Sequence, residues 1–214
     1  MKKVFLSLIM VASVLTACKS ESNKKAIETK EEVKVEGKKT LLNNIDTTAS
    51  VLNWKGTKPT GSHNGIVNLL KGEIVLENGN LKGGEFVIDM STIAVLDIPA
   101  DNEGNGKLVG HLTSADFFNI ATFPTSKFII TNVEANEGLL NVTGNLTIKD
   151  VTKSITIPAT ISSVDGVTTF SSEKFMVNRA DFNVKYASKS FVDNLKDKFI
   201  DDLMEMSFVV KTKA

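Results

Sequence analysis

Hydrophobic and polar residues alternate with a period of two along most of the chain beyond residue 46. Phe86, Ile88 and Met90 alternate with polar or smaller neighbours, and residues 140–148 repeat the pattern. A period of two puts every second side chain on one face, which is typical of strands that bury a single face. The pattern predicts eight strands, at residues 47–58, 65–77, 80–91, 124–135, 138–149, 152–163, 167–178 and 199–212.

The connections between these strands are mostly short. The dipeptides Asn78-Gly79 and Asp165-Gly166 favour type I′ hairpin turns. Long strands joined by tight turns favour an antiparallel up-and-down sheet, and closing that sheet removes its exposed edges. We therefore predict an all-β fold, an eight-stranded antiparallel barrel, with a two-sheet sandwich as the alternative.

Two irregular segments interrupt the predicted strands. In residues 105–119, Ser114 stands directly before Ala-Asp-Phe-Phe, where a serine suits the N-cap of a short helix. Residues 187–197 are the second irregular segment. The barrel is therefore expected to carry one or two short helices.

The first residues resemble an export signal. Two lysines precede the apolar run of residues 4–14, and these eleven residues are too few to span a bilayer. The sequence Leu-Thr-Ala-Cys at 15–18 resembles the bacterial lipobox, whose cysteine becomes the lipid-bearing N-terminus. We predict a lipoprotein signal peptide over residues 1–17 and lipidation of Cys18; the alternative is a plain signal peptide.

The next residues read as a linker. Residues 19–39 contain 7 Lys and 5 Glu and no apolar stripe, which predicts a solvated tether. The predicted domains are thus the lipidated cysteine and flexible tether over 18–45, and one barrel over 46–214. Lys19 stands where an aspartate would signal retention in the inner membrane. We therefore expect a lipid-anchored protein of the bacterial envelope, at the outer membrane.

Composition excludes several functions. Residues 40–214 carry 16 basic and 20 acidic groups, which argues against a nucleic-acid partner. A single cysteine excludes a disulfide framework and a cysteine-rich metal site. His63 and His111 are 48 positions apart and accompany no nucleophile motif. We predict no catalytic residue, no metal ligand and no cofactor other than a bound lipid; an enzyme or metal protein built on the two histidines is the least favoured reading.

The predicted inward positions are almost all aliphatic, aromatic or methionine. Met90, Met176, Met204 and Met206 are flexible side chains that suit a pocket for a long apolar ligand. The same residues would equally fill a solid core. The pattern therefore leaves two readings open: a lipid-binding barrel, or a structural or surface-interaction module with a filled barrel.

Four segments carry a resemblance to a known family. They are Gly56 with residues 61–65 and 72–74, residues 111–118 with 123–125 and Phe128, residues 142–148 with 151–155, and residues 175–182. In this order they resemble the motifs of the YceI-like polyisoprenoid-binding family, and the match extends over about residues 46–212. Phe123 stands where that family usually has tyrosine, and the loop 92–107 departs from its common arrangement.

The resemblance implies a lipocalin-like barrel in the bacterial envelope that binds an isoprenoid chain, such as a polyprenyl phosphate or a quinone. The family is not known for catalysis. The implied partners are an isoprenoid lipid and, through the N-terminal anchor, a membrane. The oligomeric state, a homodimer included, stays open.

Strand parity and these motifs together predict the lining of the binding cavity. The predicted lining residues are Trp54, Phe86, Ile88, Met90, Phe117, Phe118, Phe128, Leu146, Ile157, Met206 and Phe208. Phe117 and Phe118 are expected to close one mouth of the barrel from the short helix. Arg179 either stands at the rim, ready to meet a phosphate, or pairs with Asp181, and the ion pair is the favoured reading.

Overall fold

The computed structural model describes residues 25–35 and 44–213, which include the whole predicted barrel except the last residue. Its strands are β1 (Ile45–Lys58), β2 (Gly61–Glu77), β3 (Asn80–Val95), β4 (Thr125–Asn136), β5 (Leu139–Ile148), β6 (Val151–Val164), β7 (Val167–Ser172), β8 (Phe175–Asn178) and β9 (Leu203–Thr212). The predicted signal peptide, Cys18 and parts of the predicted tether lie outside the described residues.

The strands form one closed antiparallel sheet. Each strand from β1 to β7 pairs with the next, β9 pairs with both β7 and β8, and pairing of β9 with β1 closes the ring. The strand predicted over 167–178 is interrupted at residues 173–174, so that β7 and β8 together make the seventh position of an eight-stranded barrel. The predicted barrel is confirmed, and the sandwich alternative is wrong.

Tight hairpins join the strands at one end of the barrel. Asn78 and Gly79 have φ of 52° and 78°, and Asp165 and Gly166 have φ of 49° and 80°. Two successive positive φ values define the type I′ turn, whose twist matches that of the flanking strands. Both turns predicted from Asn-Gly and Asp-Gly are therefore confirmed.

The helix lies earlier than predicted. Helix α1 (Glu103–Thr113) begins after Asn102, whose side chain accepts a hydrogen bond from the Gly104 amide at 2.8 Å. Ser114 ends this helix instead of starting one, because its hydroxyl donates to the His111 carbonyl at 2.8 Å. The predicted N-cap role of Ser114 is wrong. The N-cap is Asn102, and Glu103 in the first turn interacts favourably with the helix dipole.

The second predicted helix does not form. Residues 187–197 contain turns and irregular backbone, and the short helical element lies before them, as a 3₁₀ turn at Arg179–Phe182. Asn178 caps this turn by accepting from the Ala180 amide at 3.1 Å. Among the described residues, no helix is both long and apolar enough to cross a bilayer.

The N-terminal segment (residues 25–35) differs from the predicted solvated tether. It lies between β6 and β8, and Lys30 and Ser154 exchange two backbone hydrogen bonds of 2.9 Å each. Ile27 packs against the hydrophobic core. The Lys- and Glu-rich composition of this segment predicted a solvated tether. Composition does not reveal that the barrel wall has a gap in which the segment can dock.

Candidate binding cavity

The barrel interior contains an apolar cavity of about 160 Å³. It lies toward the end of the barrel that carries α1, the 3₁₀ turn and the loop 183–202, because residues in or next to each of these elements border it. Phe117 and Phe118 border it after α1, Arg179 borders it from the 3₁₀ turn, and Ile200 borders it from the loop. The interior is therefore not completely filled by its own side chains.

The structure brings the predicted lining residues together. All eleven border the cavity: Trp54, Phe86, Ile88, Met90, Phe117, Phe118, Phe128, Leu146, Ile157, Met206 and Phe208. They converge because each occupies the inward parity of its strand or the turn after α1. Their role as contacts of a ligand stays a prediction.

Sequence reasoning missed several lining residues. Gly56 borders the cavity, and a Cβ built on it meets no other atom within 4 Å, so open space lies beside it. Gly56 alternates in step with Leu52 and Trp54 on β1, and this parity could have predicted that it faces the cavity. Ile200 and Asp201 also border the cavity. They fall inside the predicted strand 199–212, but β9 begins only at Leu203, and in the irregular backbone before it two consecutive residues reach the cavity.

Few polar groups face the cavity. Ser126 is buried, and its hydroxyl contacts the Met90 sulfur at 3.2 Å. The other ionisable or hydroxyl-bearing residues of the lining are Arg179 and Asp201. An apolar guest would therefore meet mostly carbon atoms.

Arg179 is fully buried at the cavity end of the barrel. Its guanidinium donates to three backbone carbonyls, those of Val184 at 2.7 Å, Ile200 at 3.0 Å and Asp201 at 3.1 Å. Nη2 also lies 3.1 Å from Asp202 Oδ1. This one side chain thus ties both ends of the loop 183–202 to the 3₁₀ turn.

The predicted partner of Arg179 is wrong. Asp202 forms its ion pair, whereas Asp181 accepts hydrogen bonds from Thr29 and Asn178. Burial lowers the pKa of the Arg179 guanidinium from its usual range, and the neighbouring carboxylates of Asp202 and Asp201 oppose that effect. Because its donors already serve the loop, Arg179 acts first as a structural cation beside the cavity.

Aromatic rings form the cavity wall after α1. The rings of Phe117 and Phe118 meet edge to face with centroids 5.0 Å apart, and the Arg179 guanidinium lies 5.5 Å from the Phe117 centroid. Lys149 Nζ donates to the Phe117 carbonyl at 2.8 Å, and burial followed by the nearby Lys185 charge lowers the pKa of Lys149. These contacts hold the Phe117–Phe118 turn against the barrel.

The two histidines occupy separate positions with different contacts. His63 lies on β2, with Nδ1 2.8 Å from Asp97 Oδ2. The ring of His111 packs edge to face on Tyr186, with centroids 4.4 Å apart. Within residues 25–35 and 44–213, no group of three His, Cys, Asp or Glu side chains is arranged to hold a metal ion.

Asp97 contributes pH-dependent stability. Partial burial opposes its ionisation, but hydrogen bonds from the Asn64 amide and His63 outweigh that effect and lower the pKa of Asp97 from its usual 3.8. A lowered folded pKa stabilises the fold above pH 3.8, and this contribution is lost as the pH falls through the folded value. We expect Asp97→Asn to lower the free energy of unfolding by about 1 kcal/mol at pH 7 and progressively less below pH 3.8.

Urea unfolding from pH 7 to pH 2.5 measures this difference. Asp193→Asn, at an exposed position of the loop 183–202, is the control and is expected to follow the parent protein. A gap between Asp97→Asn and the parent that is constant over the whole pH range would contradict the assignment.

Comparisons with known proteins agree with this architecture. The model of the YceI-like domain matches residues 44–212. The chain is similar in structure to BcnA of Burkholderia cenocepacia, at 18% identity and a TM-score of 0.63, with 79% of this chain and 99% of that chain covered. No curated protein matches the sequence.

Two further solved structures share the fold. A polyisoprenoid binding domain from Saccharophagus degradans, implicated in plant cell wall breakdown, is 18% identical with a TM-score of 0.61, covering 82% of this chain and 99% of that one. A YCEI protein of Campylobacter jejuni is 21% identical with a TM-score of 0.50, covering 69% of this chain and 84% of that one. Since the domain model spans the barrel from before β1 to the end of β9, the chain belongs to the YceI-like domain family.

Proposed function

We propose that this protein binds a long-chain isoprenoid lipid, of the polyprenyl phosphate or quinone class, in its barrel cavity and has no catalytic role. The observation that carries the proposal is the apolar cavity inside the barrel, lined mainly by aromatic, aliphatic and methionine side chains. The polyisoprenoid-binding domain of S. degradans, with the same fold, supports it. A barrel filled by its own side chains, the structural-module alternative, would leave no such space.

The cavity matches the chemistry of an isoprenoid chain, which is branched, apolar and uncharged. Each methylene that leaves water contributes about 0.8 kcal/mol, so affinity should rise with the number of buried isoprene units. No ion pair with the chain is needed. The lining accordingly offers carbon surface and few free charges.

The size of the cavity says how such a chain fits. An apolar cavity of about 150 Å³ holds one benzene ring, so about 160 Å³ holds a short stretch of an isoprenoid. Longer chains need neighbouring side chains to rotate apart. Met204 and Met206 border the cavity, and methionine changes conformation at low cost. We therefore expect the cavity to expand around its ligand.

The proposal includes a place in the cell. The lipobox-like sequence ending at Cys18 supports a lipid-anchored protein of the bacterial envelope, at the outer membrane. Several acyl chains on one cysteine suffice for stable anchoring, whereas a single chain does not. A binder anchored in this way would meet isoprenoid lipids at the membrane surface.

Ligand recovery tests the proposed function. The protein is purified from a bacterial envelope, extracted with organic solvent and analysed by mass spectrometry, and the emptied protein is then offered polyprenyl phosphate and a long-chain quinone. We expect a co-purified isoprenoid or saturable uptake of one of the two. Failure of both would contradict the proposal.

A variant that fills part of the cavity tests whether the ligand binds there. Gly56→Phe places a ring in the open space beside Gly56, where a Cβ meets nothing within 4 Å. Displacing two methylenes of the ligand removes about 1.6 kcal/mol, so we expect about tenfold weaker isoprenoid binding. Gly83→Phe, on β3 and outside the cavity lining, is the control. Equal affinity of both variants, measured by equilibrium dialysis, would place the ligand elsewhere.

A further inference from the structure

The barrel wall has a seam between β6 and β8. The ladder between β6 and β7 covers Ala159–Val164, and β8 pairs with β9. Among the described strands, no ladder joins β8 to the first half of β6. The seam begins at residues 173–174, where the strand is interrupted between β7 and β8.

The N-terminal segment lies in this seam and bonds to the strands on both sides, with one isolated bridge at Lys30. On one side, the Ile27 amide donates to the Met176 carbonyl of β8 at 2.8 Å. On the other side, Lys30 and Ser154 of β6 exchange two backbone hydrogen bonds of 2.9 Å. The segment therefore bridges two strands that do not pair with each other.

Side chains fix the register of the inserted segment. Thr29 donates to Asp181 at 2.8 Å. The Asn145 side chain accepts from the Val33 amide at 2.9 Å and donates to the Val33 carbonyl at 2.7 Å. Asn145 is buried although it lies on the outward parity of β5, because the segment covers it. These contacts are specific to one placement of the segment.

Both strands that flank the seam border the cavity. Ile155 and Ile157 of β6 border the cavity on one side of the seam, and Phe175 and Val177 of β8 border it on the other. Neighbouring strands lie about 4.8 Å apart, so withdrawal of one extended segment from between them leaves a slot about as wide as a hydrocarbon chain. An apolar chain could pass through it sideways, without breaking a ladder of the barrel.

We propose that the seam between β6 and β8 is the entry portal for the ligand and that the N-terminal segment is its removable cover. The inference rests on the proposed lipid-binding function. The cover forms no continuous ladder with either flanking strand: its backbone bonds are one to β8 and two to β6. Its ion pair between Glu31 and Lys153 has Glu31 90% exposed, which adds little. The cavity end, by contrast, is tied by the buried Arg179 network. Local opening therefore favours the seam.

The position of the cover links the portal to the predicted anchor. Lys25 follows Cys18 by seven positions, a span of at most about 25 Å for a fully extended chain. The cover is thus the part of the barrel wall nearest in sequence to the membrane attachment. Tension on the tether, or contact with the bilayer, would act on the cover before it acts on any strand.

A reversible cross-link tests the portal. Lys30→Cys and Ser154→Cys are combined with Cys18→Ser in the full chain, so that the introduced pair holds the only thiols. Partners that exchange both hydrogen bonds have Cα atoms about 5.5 Å apart, which suits a disulfide. The control pair is Thr143→Cys and Thr156→Cys, register partners on β5 and β6, which are already paired.

The readout is the rate at which the neutral fluorophore N-phenyl-1-naphthylamine enters the cavity. We expect oxidation of the Lys30–Ser154 pair to slow entry at least about tenfold and reduction to restore it, because local opening is blocked. Oxidation of the control pair should leave the rate unchanged. Equal rates before and after oxidation at Lys30 and Ser154 would overturn the portal.

A second pair of variants loosens the cover instead of locking it. Lys30→Pro removes the amide that donates to Ser154 and is expected to speed fluorophore entry, whereas Lys34→Pro, near the end of the segment, should not. Identical rates for both variants would also count against the portal. Polyprenyl phosphate is then used to displace the fluorophore. Gated entry without displacement would overturn the proposed isoprenoid function and leave the portal standing.

Discussion

Arg179→Met is expected to lower the free energy of unfolding by about 3–5 kcal/mol, the cost typical of breaking one partner out of a buried ion pair. The methionine fills much of the same volume but leaves the carbonyls of Val184, Ile200 and Asp201 without their donor. It also leaves Asp202 Oδ1, which is buried and has no aligned hydrogen-bond donor among the described residues, without its balancing cation. Urea unfolding with an unchanged m value measures the loss.

Two companion variants separate charge from geometry. Arg179→Lys keeps a cation but lacks the planar guanidinium that reaches three carbonyls at once. We therefore expect a loss of unfolding free energy between those of the parent protein and Arg179→Met. Asp202→Asn added to Arg179→Met removes the uncompensated charge and should recover about 1–3 kcal/mol. A loss below 1 kcal/mol for Arg179→Met, or no recovery in the double variant, would show that the loop 183–202 does not depend on this cation.

Gly65→Ala is expected to cost about 3 kcal/mol or more, because the methyl group has no room. A Cβ on Gly65 would overlap the carbonyl oxygen of Ala94 on β3 and lie 2.7 Å from the Trp54 ring. A backbone oxygen within a ladder cannot rotate away, so β2 and β3 must separate locally. The Trp54 ring, which borders the cavity, must shift as well.

Thermal unfolding and tryptophan emission measure both effects. Trp54 is the only tryptophan of the chain, so a spectral change reports on this site alone. Gly83→Ala is the control, since its Cβ would meet Val75 at an ordinary 3.9 Å, and it should change stability by less than about 1 kcal/mol. Equal stability of Gly65→Ala and Gly83→Ala would contradict the close approach of β2 and β3.

Regular backbone was predictable from the sequence because its signal is periodic. The inward parity of Phe86, Ile88 and Met90 follows from the twofold repeat, and all three border the cavity. The turns at Asn78-Gly79 and Asp165-Gly166 follow from the steric freedom that positive φ requires. These are local rules that neighbouring residues obey regardless of the rest of the chain.

Irregular backbone was not predictable in the same way. The partner of Arg179 is Asp202 rather than the nearby Asp181, because the loop 183–202 returns to the 3₁₀ turn only in three dimensions. The N-terminal segment, rich in Lys and Glu, docks because β6 and β8 leave a seam, which no property of residues 25–35 reveals. In both cases the decisive contact joins residues that are distant in sequence, about 20 positions in one and more than 100 in the other.

The closing strand β9 pairs with three others: β1, β7 and β8. It is also the last of the described strands in chain order, so it is synthesised after the other eight. Until residues 203–212 are available, β1 lacks one of its two neighbours and β8 lacks the partner on its β9 side. Without β9 the rest of the barrel is therefore an open sheet with unpaired edge strands, and a chaperone that shields those edges would serve this fold until the ten residues of β9 are available.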